Sequence, residues 1–445
     1  MAYPRAVIPP HPRWAGSPRH VSMADYEPAG TGVLMRLYFP TDVAPPSSWR
    51  RSPFGDRPCW MPNATYLHGL MHFIINLEHE DRRWWQRAFA RGFCVFAHAF
   101  GRLLGDTIPA SMDRAPSRAV AAEKKKAESS SSSETKMPLV VFSHGLAGTR
   151  TMYAALCTSL ASQGYLVAAI EHRDGSASCA SHVDESAGEV KHELYRHTDG
   201  NYKWRTTQLG VRTKEIHAAI AALCPGIGGG RGKKRATRAT IPENVFPGSS
   251  FDASAHFADL IDHRRVVAAG HSFGAASVLA SIAAAKPGTI SRAVLLDPWI
   301  DPFGIYDETD QACAFHPLRA AAANAVPTLV MRSERWNADL SPFTRHADSP
   351  WLDVEVKGTK HQDFSDIAFR MPAIARRIGM KGDVDARRLF EMKLGLIDFF
   401  IEAATAIEAW GDQGERVKLR SSALELLRTY RDEGITVRVK CSSAN

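Results

Sequence analysis

Val266-Val267-Ala268-Ala269-Gly270-His271-Ser272-Phe273-Gly274-Ala275-Ala276-Ser277-Val278-Leu279-Ala280 reads as three pieces in immediate succession: an apolar run, a Gly-x-Ser-x-Gly pentapeptide and a helix-forming stretch. A short continuous apolar run marks a strand buried on both faces. Gly270 and Gly274 remove side chains that would collide with backbone on a sharp strand-to-helix turn, and such a turn holds Ser272 at its apex. The pentapeptide alone is common and is often no more than a tight turn with an exposed serine. The strand before it and the helix after it make Ser272 a candidate nucleophile.

Working outward, Leu139–Phe142, Leu166–Ile170, Ala293–Leu296, Thr328–Met331 and Trp351–Val356 are further short apolar runs, most of them continuous rather than alternating. Helix-like stretches at Thr151–Gln163, Gln208–Leu223 and Ala275–Ala285 lie between several of them, which gives the strand–helix alternation of a parallel sheet. The expectation is an α/β-hydrolase fold: a mostly parallel central sheet flanked by helices, in one domain over residues 1–445. Gly32–Phe39 alternates and reads as an antiparallel edge strand. Leu389, Leu394, Ile397, Phe400 and Ile401 recur at helical spacing and predict a helix packed on the sheet. Glu123–Lys136, with five consecutive serines among charges, and the basic, glycine-rich Gly226–Arg238 read as surface insertions, the first disordered and the second flexible.

A serine hydroxyl needs a base to take its proton and an acid to orient that base. In this fold the order along the chain is serine, acid, histidine. Asp297 directly follows the run Ala293–Leu296, at the carboxyl end of a strand, where such sheets assemble their sites. Asp301 and Asp339 compete, the first deeper in the loop and the second after a later strand. His361, in the loop after Trp351–Val356, is the candidate base; with 18 histidines in the chain, His316 and His346 stand as formal alternatives. His271 adjoins the serine, so its side chain points away and reads as packing. An oxyanion needs two pre-aimed N–H donors. Phe273, after the nucleophile, supplies one, and Leu146 in Ser143-His144-Gly145-Leu146-Ala147-Gly148, after the run Leu139–Phe142, is the choice for the other.

The 445 residues are 44% hydrophobic and 23% charged, an ordinary composition for a soluble globular protein. A net charge of +8 is a mild basic excess with no nucleic-acid reading motif beside it, so nucleic acid is not an expected partner. The seven cysteines lack any Cys-x-x-Cys pairing, which argues against a zinc or dithiol centre and for reduced structural thiols. The start of the sequence shows no signal-peptide pattern, and alanine at position 2 excludes myristoylation. No apolar run is long enough to span a membrane, so a cytoplasmic enzyme is expected. Asn63-Ala64-Thr65 spells a glycosylation acceptor that carries no meaning in that setting.

Several separated blocks resemble those of the platelet-activating-factor acetylhydrolases, in their plasma and intracellular type II forms. They are Met35-Arg36-Leu37-Tyr38-Phe39-Pro40, Trp60-Met61-Pro62-Asn63, Phe142-Ser143-His144-Gly145-Leu146, Arg150-Thr151, Glu171-His172-Arg173-Asp174-Gly175-Ser176-Ala177, the Ser272 pentapeptide, Leu296-Asp297-Pro298-Trp299 and His361-Gln362-Asp363-Phe364. The resemblance implies Ser272, Asp297 and His361 as triad, Leu146 and Phe273 as oxyanion donors, and hydrolysis of the sn-2 acetyl or short oxidised acyl ester of phospholipids. It implies no calcium, no other metal and no cofactor. Ala275, Pro298 and Asp301 depart from the family pattern, and they leave substrate choice open. The family meets membrane or lipoprotein surfaces through an apolar helix ahead of the first oxyanion loop. Here Trp84–Leu104 carries Trp84, Trp85, Phe89, Phe93, Phe96 and Phe100 among arginines, in the pattern of an interfacial segment. The rival readings are a broad carboxylesterase or lipase with the same triad, and an inactive lipid-binding protein on a hydrolase scaffold.

Overall fold

A computed structural model describes most of residues 20–441; the longer stretches outside the described residues are 1–19, 44–57, 118–135, 226–255, 304–320 and 337–350. Both charged insertions, Glu123–Lys136 except for Lys136 and the whole of Gly226–Arg238, lie outside them. The chain divides into two compact units, interleaved in sequence: Met1–Leu139, Leu146–Gly200 and Ala218–His263 in the first, Val140–Gly145, Asn201–His217 and Arg264–Asn445 in the second.

In chain order the strands are β1 (His20–Tyr26), β2 (Leu34–Thr41), β3 (Ser111–Met112), β4 (Met137–Ser143), β5 (Leu166–Glu171), β6 (Cys179–Asp184), β7 (Glu189–Leu194), β8 (Ile261–His271), β9 (Arg292–Leu296), β10 (Thr328–Ser333), β11 (Trp351–Val356) and β12 (Val437–Cys441). The helices are α1 (Ala64–Ile75), α2 (Trp84–Leu103), α3 (Ala154–Ser162), α4 (Tyr202–Leu223), α5 (Phe273–Ala284), the short α6 (Asp366–Arg370) and α7 (Pro372–Arg377), then α8 (Ala386–Ala406) and α9 (Gln413–Asp432). The six apolar runs named above are β4, β5 and β8 to β11. β4, β5 and β9 are buried at every residue, as continuous rather than alternating runs require. The central sheet is mostly parallel and flanked by helices, the α/β-hydrolase arrangement.

In the second unit β8, β9, β10 and β11 pair in parallel in sequence order, with Gly270 opposite Leu295 and Leu296 opposite Met331, and β12 adds antiparallel to β11. This register aligns the carboxyl ends of four strands, where Ser272, Asp297, Ser333 and the turn bearing His361 follow in turn. α8 buries Leu389, Leu394, Ile397, Phe400 and Ile401, the stripe read from the sequence.

In the first unit β2 pairs antiparallel with β5 on one side and with β1 on the other. The expected edge strand is therefore an interior one, buried along its whole length. β1 escapes a hydrophobic reading because its polar residues are buried by partners distant in sequence. Asp25 takes Arg36 Nη2 at 2.6 Å and Arg150 Nε at 2.9 Å. Arg150 also reaches Glu171 and Tyr66, and Tyr66 donates to Glu171 at 2.7 Å. Burial opposes the Asp25 carboxylate, but Arg150 and then Arg36 overcome it and bring its pKa down to about 2. Truncating Arg150 to methionine leaves the buried Glu171 without its cation and the buried Asp25 with Arg36 alone. The expected result is a loss of about 3–5 kcal/mol in stability, read as a lower urea midpoint at unchanged slope. The acceptor-like Asn63 is a helix cap, its side chain accepting from the Thr65 and Tyr66 N–H groups of α1.

Candidate active site

Ser272 sits between β8 and α5 with φ +56° and ψ −119°, a left-handed backbone that costs a non-glycine residue about 1–3 kcal/mol. The surroundings over-determine it. Its N–H donates to Leu296 O at 2.9 Å, and its carbonyl accepts from Ala275 and Trp299. Both flanking glycines are sterically required: a Cβ on Gly270 would lie 2.4 Å from Gly274 O, and one on Gly274 would lie 2.0 Å from Ser143 O. The second distance shows how closely the elbow presses on the end of β4.

Asp297, fully buried, follows β9 with φ +44° and anchors its N–H on Met331 O of β10. Its Oδ1 accepts the Ser333 backbone N–H at 2.8 Å and its Oδ2 accepts Ser333 Oγ–H at 2.8 Å. Oδ2 also lies 2.7 Å from His361 Nδ1. The structure thus brings together the expected acid and base. Asp301 is exposed and accepts the Trp299 indole N–H at 2.8 Å, so it is committed elsewhere. Asp339, His316 and His346 lie outside the described residues.

His361 opens a single 3-10 turn, His361–Phe364, whose Asp363 carboxylate takes the Lys360 N–H at 2.8 Å and the Gly382 N–H at 2.7 Å. Two rings hold the imidazole. Trp336 stacks on it with centroids 3.7 Å apart at 14°, its indole N–H donating to Pro298 O. His271 packs at 4.5 Å, and its Nε2 lies 3.1 Å from His361 O. Burial first, and then the neighbouring His361, holds the His271 imidazole well below its usual range, so it serves as a neutral donor to that carbonyl. The packing role read for His271 is met, with His361 as its target. Ser333 and Trp336 were not foreseen: Ser333 is the last residue of β10 and Trp336 lies three residues beyond it, with no spacing signal to flag either.

Phe273, buried, begins α5 directly after Ser272. Leu146, half-buried, stands in the first unit, and Ala147 beside it adopts φ +56° with its N–H on Ser176 O at 2.7 Å. Asp174 fixes Ser176 in turn by accepting its N–H at 3.0 Å. Among the described residues no cluster of His, Cys, Asp or Glu is arranged to hold a metal ion.

α2 turns Ala90 and Cys94 inward. Both are buried, and Cys94 Sγ lies 3.2 Å from Met71 of α1. Its aromatics face out: Trp84 is 80% exposed and Phe89 74%, with Trp85, Phe93 and Phe96 also exposed. Phe100 falls in the helix, but its side chain is outside the described ones. No helix among the described residues is long and apolar enough to cross a membrane.

The sequence model of the family described as platelet-activating factor acetylhydrolase, isoform II, matches residues 107–418. A platelet-activating factor acetylhydrolase of Gallus gallus is 30% identical over 276 residues, 58% of this chain and 59% of that protein. Its counterpart in Canis lupus familiaris is 29% identical over 378 residues, 82% of this chain and 69% of that protein. This chain therefore spans roughly three fifths to two thirds of the length of these relatives. A solved ferulic acid esterase from Streptomyces cinnamoneus aligns with a TM-score of 0.49 at 17% identity, over 86% of this chain and 89% of that one.

Proposed function

Because the chain belongs to the platelet-activating factor acetylhydrolase, isoform II, family, we propose that it is a calcium-independent serine esterase that hydrolyses the sn-2 acetyl or short oxidised acyl ester of phospholipids. The observation that carries the proposal is the Asp297–His361 pair, at 2.7 Å, beside a strained serine elbow. His361 takes the proton of Ser272 as Oγ attacks the ester carbonyl. The backbone N–H groups of Leu146 and Phe273 receive the oxyanion, and Asp297 steadies the imidazolium. Collapse of the intermediate expels the lyso-phospholipid alcohol, protonated by His361, and water then releases the acyl group from Ser272 by the same steps. No step calls for a metal or cofactor. Residues 1–445 act in this reading as one hydrolase domain, in the cytoplasm, where widely spaced cysteines stay reduced.

The test is a chain-length profile on the purified protein with a calcium chelator present. We expect kcat/KM to fall at least tenfold from sn-2 acetyl to sn-2 palmitoyl phosphatidylcholine, at rates insensitive to the chelator. Equal rates on long chains, or activity confined to p-nitrophenyl esters, would instead assign a broad lipase or carboxylesterase.

The same reading has α2 lie on the lipid surface, its outward aromatics immersed among headgroups and its arginines paired with phosphates. Replacing Phe89 and Phe93 together by serine is expected to weaken binding to anionic vesicles by about 50-fold, at roughly 1–1.5 kcal/mol per partly immersed ring. Vesicle co-sedimentation measures it, with turnover of a soluble ester as the folding control. Undiminished binding would move the lipid contact off α2.

A further inference from the structure

Arg212 stands in the middle of α4 and is fully buried. Taking a guanidinium out of water costs several kcal/mol unless its partners compensate, so its position calls for a reason. Its Nη1 donates to the carbonyl of His144 at 2.7 Å. Its guanidinium carbon lies 4.4 Å from the centroid of the Phe273 ring, stacked in the manner arginine favours.

Both contacts fall on oxyanion segments. The His144 carbonyl belongs to the peptide immediately before the one that carries the Leu146 N–H. Phe273 supplies the other donor from its own backbone. The two segments also meet directly, since the Gly274 position leaves no space for a Cβ against Ser143 O. One rigid side chain therefore fixes the peptide plane on one side and the ring on the other.

We propose that Arg212 is a positioning residue for the oxyanion site: its buried guanidinium fixes the His144 carbonyl, in the segment that leads to the Leu146 donor, and the Phe273 ring, whose backbone is the other donor. The inference rests on the acyl-transfer reading and adds to it a residue outside the triad. Donors aimed at the developing charge are worth most in the transition state, so loss of Arg212 acts on kcat rather than on KM.

The experiment compares wild type with Arg212→Met and Arg212→Lys. Active sites are titrated with a fluorophosphonate, kcat per titrated site is measured on p-nitrophenyl acetate, and inhibition is measured with a short alkyl trifluoromethyl ketone. In that inhibitor Ser272 Oγ adds to the carbonyl carbon, the C=O π pair becomes the oxyanion, and His361 takes the proton. Arg212→Met is expected to lower kcat per titrated site by about 10- to 100-fold, with KM within about twofold, and to weaken the ketone by a similar factor. Arg212→Lys, which keeps the charge and loses the fork, recovers part of both. Where Arg212→Met does not fold by circular dichroism, Arg212→Lys and Phe273→Leu carry the test; the leucine keeps the backbone donor, removes the stacking face and lowers kcat in the same direction. Unchanged kcat per titrated site, with activity lost only in proportion to titratable sites, would overturn the inference and leave Arg212 a packing residue. A wild type that fails to titrate would overturn the acyl-transfer reading itself, and this inference with it.

Discussion

Ser272→Ala is expected to lower kcat/KM on a short-chain ester by about 10⁶-fold and to abolish fluorophosphonate labelling. The size follows from what remains. In the proposed mechanism no acyl-enzyme forms without Oγ, and water must attack directly with a base placed for a serine hydroxyl. The Leu146 and Phe273 N–H groups of that mechanism are untouched by the change, so a residual rate above that of water alone is expected. Folding should survive, since the backbone holds the elbow: the Ser272 N–H on Leu296 O and its carbonyl under Trp299 N–H do not involve the hydroxyl. Full esterase activity in this variant would move the chemistry to another residue.

Asp297→Asn should cost about 10⁴-fold in kcat, with little change in thermal midpoint. The argument runs through hydrogen-bond polarity. The backbone N–H of Ser333 cannot reverse, so it requires an acceptor at the Oδ1 position, where it now donates at 2.8 Å. The amide nitrogen of asparagine is then forced to the Oδ2 position and points a donor at His361 Nδ1, which must become an acceptor. The ring proton moves to Nε2, the atom that should receive the proton of Ser272. Ser333 thus makes the site intolerant of a nearly isosteric change. Steady-state kinetics per titrated site measure the loss; retention of a tenth of the activity would mean that another carboxylate orients the base.

Where chemistry and strand pattern coincide, the sequence was readable. Ser272 announces itself because its turn demands Gly270 and Gly274, and Asp297 and His361 because each follows a buried apolar strand. β1 was not readable, since Ser22 and Asp25 break its apolar pattern and are compensated by Ser111, Arg36 and Arg150, from three other stretches of chain. Taking β2 as an edge followed from missing β1. The aromatic content of α2 was plain, but the direction it faces was not: Ala90 and Cys94 decide that by packing on α1. Ser333, Trp336 and Arg212 act through contacts that close only in three dimensions, and no spacing rule finds them.

Two non-glycine residues of the second unit, Ser272 and Asp297, hold backbone angles that favour glycine, with φ +56° and +44°. At each, selection for turnover and selection for a robust fold pull in opposite directions. A lineage that lost its ester substrate would feel only the second, and glycine or asparagine would spread at these positions before the surrounding strands changed at all. On the proposed function, a descendant that had lost the activity would relax first at the elbow and at the turn after β9, while its sheet stayed as it is.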